Sequence, residues 1–382
     1  MLLLLLLLLA GLGLPPGSHG ADAADVLLFA YFREGPHCGA EAVHLAYSRD
    51  GGNFSALHNN TPVLRGPDGR WSSVRDPFID RDPHDPSLFH IVATAGGFGR
   101  GISAIHYWNL SLASGAPVFG PHTLLNVMAS INGTEECWAP EWVWDVQTGR
   151  FLIYFASGTP ANPDGGVQTK SIWAVWTPSF APLSNASAFH PFPLLQPGYS
   201  VIDANVVRVS RTRIDMFLKD ESYTRPPDFG KAVKGVSAAK VGGAFLPSGI
   251  SYPLTAAGTE GPELVHFPSN GFGVGEYLLY YDTYVSTCFG VSTLRDCAVT
   301  GSCALNCSGC VVAVSKDITN PKNVTVPSPL VSFPNMARHG SFVAITEAEL
   351  GVLLRAFPTV ELQDCHGGPE NVTVGKLCVP YD

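Results

Sequence analysis

Val201-Ile202-Asp203-Ala204-Asn205-Val206, followed after a polar turn by Ile214-Asp215-Met216-Phe217-Leu218-Lys219, is the stretch that decides the fold. Both halves are short, apolar and rich in β-branched or aromatic residues, which is the pattern of paired strands rather than of a helix. The design recurs on either side. Val74-Arg75-Asp76-Pro77-Phe78-Ile79 precedes Phe89–Thr94, Trp138-Ala139-Pro140 precedes Phe151–Ala156, and Thr259-Glu260-Gly261-Pro262-Glu263-Leu264 precedes Tyr277–Asp282. Stations near Asp76, Trp138, Asp203 and Glu260 fall at intervals of roughly 60 residues, a period suited to a four-stranded propeller blade. Five such units would fill the chain from residue 21 to 382. The expected fold is therefore all-β, a single-domain five-bladed β-propeller whose innermost strands point into one central channel. One helix is expected, over Thr346–Ala356, with Thr346 as its cap, Glu349 at the capping-box position and Leu350, Leu353 and Leu354 on its apolar face.

Composition agrees with strands. Only 14% of the 382 residues are charged and 46% are hydrophobic, so a large core can form and wholesale disorder is excluded. A net charge of -9 with 23 Lys and Arg argues against a nucleic-acid partner, which would need a basic face.

The start of the chain reads as a leader. Leu2–Leu9 and the residues to Leu14 make an apolar run of about 13, too short for a span that needs roughly 20. Pro15-Pro16-Gly17 breaks it, and Ser18-His19-Gly20 supplies small residues for cleavage. Residues 1–20 are thus expected to be a signal peptide, the protein secreted, and no membrane partner involved. Sequons at Asn53, Asn59, Asn109, Asn132, Asn185, Asn306, Asn323 and Asn371 fit a glycoprotein. Of nine cysteines, five crowd between Cys288 and Cys310, where a disulfide-braced loop is preferred over a zinc cluster. Cys365 and Cys378 bracket a short loop and are expected to pair, and the odd count leaves one thiol unassigned.

These stations resemble glycoside hydrolase family 43, arabinosidase-like branch, over nearly the whole mature chain. Phe29-Ala30-Tyr31-Phe32, Leu45–Gly51 and Pro62-Val63-Leu64 are similar to its opening. Arg75-Asp76-Pro77 looks like its general-base segment, Trp138-Ala139-Pro140-Glu141 like its recurrent turn, and Ile202-Asp203 like the site of its pKa-modulating aspartate. Thr259-Glu260-Gly261-Pro262 is similar to its general-acid segment, and Arg338-His339-Gly340-Ser341 to its closing blade. The Cys288–Cys310 loop and the Asp82-Pro83-His84-Asp85 insertion depart from the pattern.

The resemblance implies Asp76 as base, Glu260 as acid and Asp203 as a third carboxylate that raises the pKa of the acid. Inverting hydrolysis needs such a pair, one protonating the leaving oxygen and one activating water from the opposite face. Trp138, Lys219 and Asp282 are candidate substrate-binding residues, with core packing as the alternative for Trp138 and ion pairing for the other two. His339 is a candidate metal or water ligand. No cofactor is required, and a structural calcium in the channel is compatible with this reading. Asp80, Asp82 and Asp85 are rivals for the base but read better as a solvated Pro-rich turn, and Glu141 as a structural or substrate-edge residue.

The expected activity is an inverting, exo-acting α-L-arabinofuranosidase on polysaccharide or glycoconjugate. The alternatives are a β-xylosidase or other exo-glycosidase on an arabinose- or xylose-containing glycan, or a non-catalytic carbohydrate-binding propeller.

Overall fold

The computed structural model describes residues 26–33, 41–67, 72–96, 102–134, 136–158, 169–180, 189–210, 212–222, 231–251, 253–255, 257–268, 271, 277–283, 309–315, 331–334 and 337–358. The expected signal peptide, the sequons at Asn185, Asn306, Asn323 and Asn371, and Cys38, Cys288, Cys297, Cys303, Cys307, Cys365 and Cys378 lie outside them. Among the described residues Cys137 is a buried free thiol.

Among the described residues the strands assemble into five antiparallel sheets. The first holds β1 (Val26–Arg33), β2 (His44–Ser48) and β3 (Ser55–Ala56), joined on the other side of β1 by the last strand, β19 (Ala337–Ile345). The second runs through β4 (Val74–Arg81), β5 (Leu88–Ala95), β6 (Ile105–Ser111), β7 (Val118–Phe119) and β8 (Thr123–Leu125). The third is β9 (Trp138–Asp145), β10 (Arg150–Gly158), β11 (Lys170–Thr177) and β12 (Phe192–Leu195). The fourth is β13 (Val201–Ser210), β14 (Arg213–Asp220) and β15 (Val233–Ala238), and the fifth β16 (Thr259–His266), β17 (Tyr277–Thr283) and β18 (Gly309–Ser315).

One strand of each sheet faces the axis. β4 packs on β9, β9 on β13, β13 on β16, β16 on β19 and β19 on β4, so the contacts close a ring. The ring is closed by hydrogen bonds: β19 pairs with β1 from Val26↔Ile345 to Arg33↔Ala337, so the end of the described chain completes the sheet its beginning started. That is a β-propeller, in which radial repetition hides the inner sheet edges. The middle strands are buried on both faces, as their apolar runs require: β10 is buried from Phe151 to Gly158. The helix α1 (Glu347–Ala356) follows β19 with the expected capping box, Thr346 Oγ1 accepting from the Glu349 amide at 3.2 Å and the Thr346 amide donating to Glu349 Oε2 at 2.8 Å. Arg81 at the end of β4 adds a two-pronged ion pair to Glu349.

A feature of the inner strands positions the site. Each carries a β-bulge near its first residues, where one extra residue stands against the partner strand. Four bulges hold a residue in the left-handed region: Asp76 at φ 48°, Ala139 at 43°, Asp203 at 53° and Gly261 at 57°. The fifth contains His339, between the pairs Arg338↔Phe32 and Gly340↔Tyr31. Asp is among the few side chains that tolerate this backbone, and elsewhere it costs energy that the fold must cover. At Gly340 even a methyl group is excluded, since a Cβ there would lie 2.0 Å from the Ala30 carbonyl oxygen.

Candidate active site

The bulges turn successive side chains into the same end of the channel, and in this way Asp76, Asp203 and Glu260 meet although nearly two hundred residues of chain separate the first from the last. Asp76 and Asp203 stand at the second position of their bulges and Glu260 at the first of its own. The fields of Glu260 and Asp76 both act on Asp203.

Asp76 is held as an anion. Thr94 Oγ1 on the neighbouring strand donates to its Oδ2 at 2.7 Å, and His339 Nδ1 stands 3.4 Å from Oδ1. Burial alone would raise this carboxyl, but the His339 contact, the His339 and Arg75 charges and the Thr94 bond outweigh it and leave the pKa lowered. Thr94 also accepts from the Ala139 amide at 2.8 Å, so one hydroxyl fixes the carboxylate and joins two sheets.

His339 carries the balancing charge. Burial would strip its proton, yet Asp203, Asp76 and Asp282 surround it and push its pKa up to about 10. It packs on the bulge of the adjacent strand, where a Cβ at Gly261 would meet its ring at 2.7 Å. Asp203 accepts from the Gly261 amide at 3.1 Å; burial first, opposed by His339 and reinforced by Glu260, sets its pKa at about 6.

Both oxygens of Glu260 are taken. Lys219 Nζ lies 2.5 Å from Oε2 and Arg338 Nη2 lies 2.6 Å from Oε1. Lys219 is further held by Glu221 at 2.6 Å, and Arg338 by Asp282 at 2.8 Å. Lys219 is therefore a buried ion-pair partner of Glu260. Asp282, 1% exposed, uses its Oδ2 to accept from Arg338 and from the His339 amide, the latter at 2.8 Å. Trp138 heads its strand at the same level as Glu260 and Arg338, half-buried, with Lys170 Nζ 4.3 Å from its ring centre. One face of the proposed sugar platform is thus covered by a cation.

The candidate metal or water ligand His339 has its Nδ1 turned to Asp76 at 3.4 Å, and among the described residues no group of three His, Cys, Asp or Glu side chains is arranged to hold an ion.

Beneath this layer lies a second polar layer that the sequence did not single out as a unit. Asn205 donates to Glu141 Oε2 at 3.1 Å and to Glu263 Oε2 at 2.9 Å, while its own oxygen accepts from the Leu264 amide at 3.0 Å. Tyr154 adds a 2.7 Å bond to Glu141. Burial pushes Glu141 up to about 8 and Glu263 well above the usual carboxylate range, so this pair holds a proton. The fourth residue of each bulge supplies these groups, and reading the five bulges against one another would have found them: Phe78, Glu141, Asn205, Glu263 and Ser341. Of the rival acids, Asp80 lies not in the turn but in β4, where its exposed side chain accepts from the Arg81 amide at 2.7 Å. Asp82 bonds His90 at 2.7 Å and Asp85 bonds Ser87, both away from the site.

The chemistry available is that of separated carboxyl groups in unlike environments at one channel mouth, the pattern of acid–base bond cleavage. Comparison with known proteins agrees. The profile of a family described as a probable glycosyl hydrolase domain, related to family 43, matches residues 22–351. A thermostable family-43 glycoside hydrolase is 16% identical over 70% of this chain and 78% of its own, with a TM-score of 0.44. An α-L-arabinanase of Cellvibrio cellulosa with bound arabinohexaose is 15% identical over 72% and 78%, TM-score 0.39. A xylan β-1,4-xylosidase of Bacillus halodurans is 13% identical over 71% of this chain and 44% of its own, TM-score 0.43. No curated protein matches. Structural likenesses this distant carry no argument about substrate, whereas the family profile spans most of the chain. The chain belongs to the glycosyl hydrolases related to family 43.

Proposed function

We propose that the protein is a secreted, inverting, exo-acting α-L-arabinofuranosidase on a five-bladed propeller. The observation that carries the reading is the unlike treatment of the carboxylates that meet at the channel mouth. Asp76, anionic and aimed by Thr94 and His339, suits the base that takes a proton from the attacking water. Glu260 is the acid, and Asp203 lends it negative charge. Because Lys219 and Arg338 engage both Glu260 oxygens in the free protein, donation requires one of these cations to release its oxygen, and that oxygen to take up a proton from solvent, as the sugar enters. Succession of five sheets around the ring supports five blades. The likeness of Phe29–Phe32, Leu45–Gly51 and Pro62–Leu64 to the arabinosidase-like branch supports the choice of sugar. The leader and the exposed sequon residues Asn53, Asn59 and Asn132 support secretion.

The test is hydrolysis of a panel of aryl α-L-arabinofuranosides and β-D-xylosides by the parent and by Glu260→Gln. The arabinofuranoside should be cleaved faster. The variant should retain activity on nitrophenyl leaving groups while losing it on alkyl ones, since only the latter need a proton. Equal loss on both would remove Glu260 from the acid role, and a preference for the xyloside would move the protein to the β-xylosidase reading.

A further inference from the structure

A cavity of about 250 Å³ opens between the second and third sheets, remote from the channel mouth. Its place follows from the register. β4 begins at the Asp76 end and leaves at Arg81; Asp82 lies beyond that far end, His90 pairs with Asp80 and Asn109, and Phe151 pairs with Thr177 at the same far end. The cavity therefore lies on the face opposite Asp76, Asp203 and Glu260.

Its lining is a chain of hydrogen bonds between two apolar walls. Tyr107 Oη stands 3.0 Å from His90 Nδ1, His90 Nε2 stands 2.7 Å from Asp82 Oδ2, and Asn109 lines the same space. The order assigns His90 as the Nε2–H tautomer, with every donor directed toward Asp82. Burial keeps His90 below its usual pKa, consistent with a neutral ring. Phe180, stacked on Tyr107 at 5.0 Å, and Phe151 form one wall; Pro121 forms another, and the hydroxyls of Thr123 and Ser179 stand at the rim.

No Lys or Arg lines the space, so nothing there would hold a phosphate or a uronate. Apolar ring surface combined with hydroxyl, amide and carboxylate groups matches the C–H groups and hydroxyls of a sugar, and the volume is just under that of drug-sized sites. We propose that this cavity is a second carbohydrate-binding site, taking one neutral sugar residue of a polysaccharide and tethering the enzyme to it. Only the choice of polysaccharide rests on the function proposed above.

Asn109 is also a sequon residue, so the test must separate a foreign sugar from the protein's own glycan. Electrophoretic retardation in gels containing arabinan or neutral arabinoxylan, with dextran as control, is measured on Glu260→Gln protein so that no turnover intervenes. Ser179→Trp and Thr123→Trp, each on that background, plug the rim from opposite sides, and Ser111→Ala removes the sequon while leaving Asn109 in place. Retardation by arabinan or arabinoxylan, abolished by either plug, is expected. In protein with Glu260 intact, either plug should slow polysaccharide hydrolysis about three- to tenfold and leave aryl glycoside hydrolysis unchanged. Retardation that survives both plugs overturns the proposal. So does retardation seen only after Ser111→Ala, which would make the cavity the seat of the chain's own glycan. Loss of aryl glycoside hydrolysis in the parent would fall on the proposed activity and leave the retardation result standing.

Discussion

Thr94→Val is the sharpest perturbation of the candidate site, because Thr94 touches no substrate and yet its hydroxyl serves two partners. Valine fills the same volume and removes only the oxygen. Two bonds are lost, the 2.7 Å donation to Asp76 and the 2.8 Å acceptance from the Ala139 amide, at a position 1% exposed. A hydrogen bond to a charged group is worth about 1.5–3 kcal/mol, and a buried amide left without a partner costs about 1–3 kcal/mol. The variant should therefore lose about 3 kcal/mol in urea unfolding at neutral pH. Asp76, deprived of a donor, should also have a higher pKa, so the acidic limb of the kcat/KM profile should move to higher pH. The sign of the stability effect follows. A carboxyl with a lowered folded pKa contributes stability above its unfolded value and loses it as pH falls through the folded value, so the Asp76 part of the difference should fade in acid while the part from the Ala139 amide persists. Thr94→Ser restores the hydroxyl and should recover most of both effects. A Thr94→Val protein within about 0.5 kcal/mol of the parent, with an unmoved acidic limb, would refute the assigned role of this bond.

Three further outcomes are expected. His339→Gln removes the cation between Asp76 and Asp203. The parent owes His339 stability that is complete below about 6.5 and is lost as pH rises through about 10, so its alkaline unfolding should be steeper than the variant's, measured by urea midpoints across that window. Gly340→Ala drives a methyl into the Ala30 carbonyl across the closing β1–β19 pair, and should cost about 3 kcal/mol or abolish soluble expression, whereas Gly115→Ala, with open space around its Cβ but a left-handed backbone, should cost only about 1 kcal/mol in the same unfolding assay. Asn205→Leu leaves Glu141 and Glu263 without their bridging amide and should lower stability by about 2–5 kcal/mol, while Asn205→Ala with the same loss of bonds but less bulk distinguishes lost bonding from overpacking.

The strand content and the stations at Asp76, Trp138, Asp203 and Glu260 were legible because they are local. A short β-branched run between turn residues fixes a strand, and recurrence at one period fixes a repeat. The capping box at Thr346 and Glu349 was legible for the same reason, since its partners lie three residues apart. What escaped was non-local. Arg338 and Lys219 reach Glu260 from 78 and 41 residues away, and only the closed ring brings them together. Asp282 read equally as a substrate-facing acid or an ion-pair partner, and only the pairing Glu260↔Asp282 shows that it holds Arg338. Thr94 carries no motif at all. Its role exists because β4 and β5 pair with a bulge that leaves Asp76 and the Ala139 amide on either side of one hydroxyl.

The central claim is that Asp76 activates water on one face of the glycosidic bond while Glu260 protonates the leaving oxygen on the other. Proton NMR of the first product released from an aryl α-L-arabinofuranoside tests it most directly. β-Arabinofuranose should appear first and then mutarotate, and Asp76→Asn should release none. First appearance of the α-anomer, or undiminished release by Asp76→Asn, would contradict it.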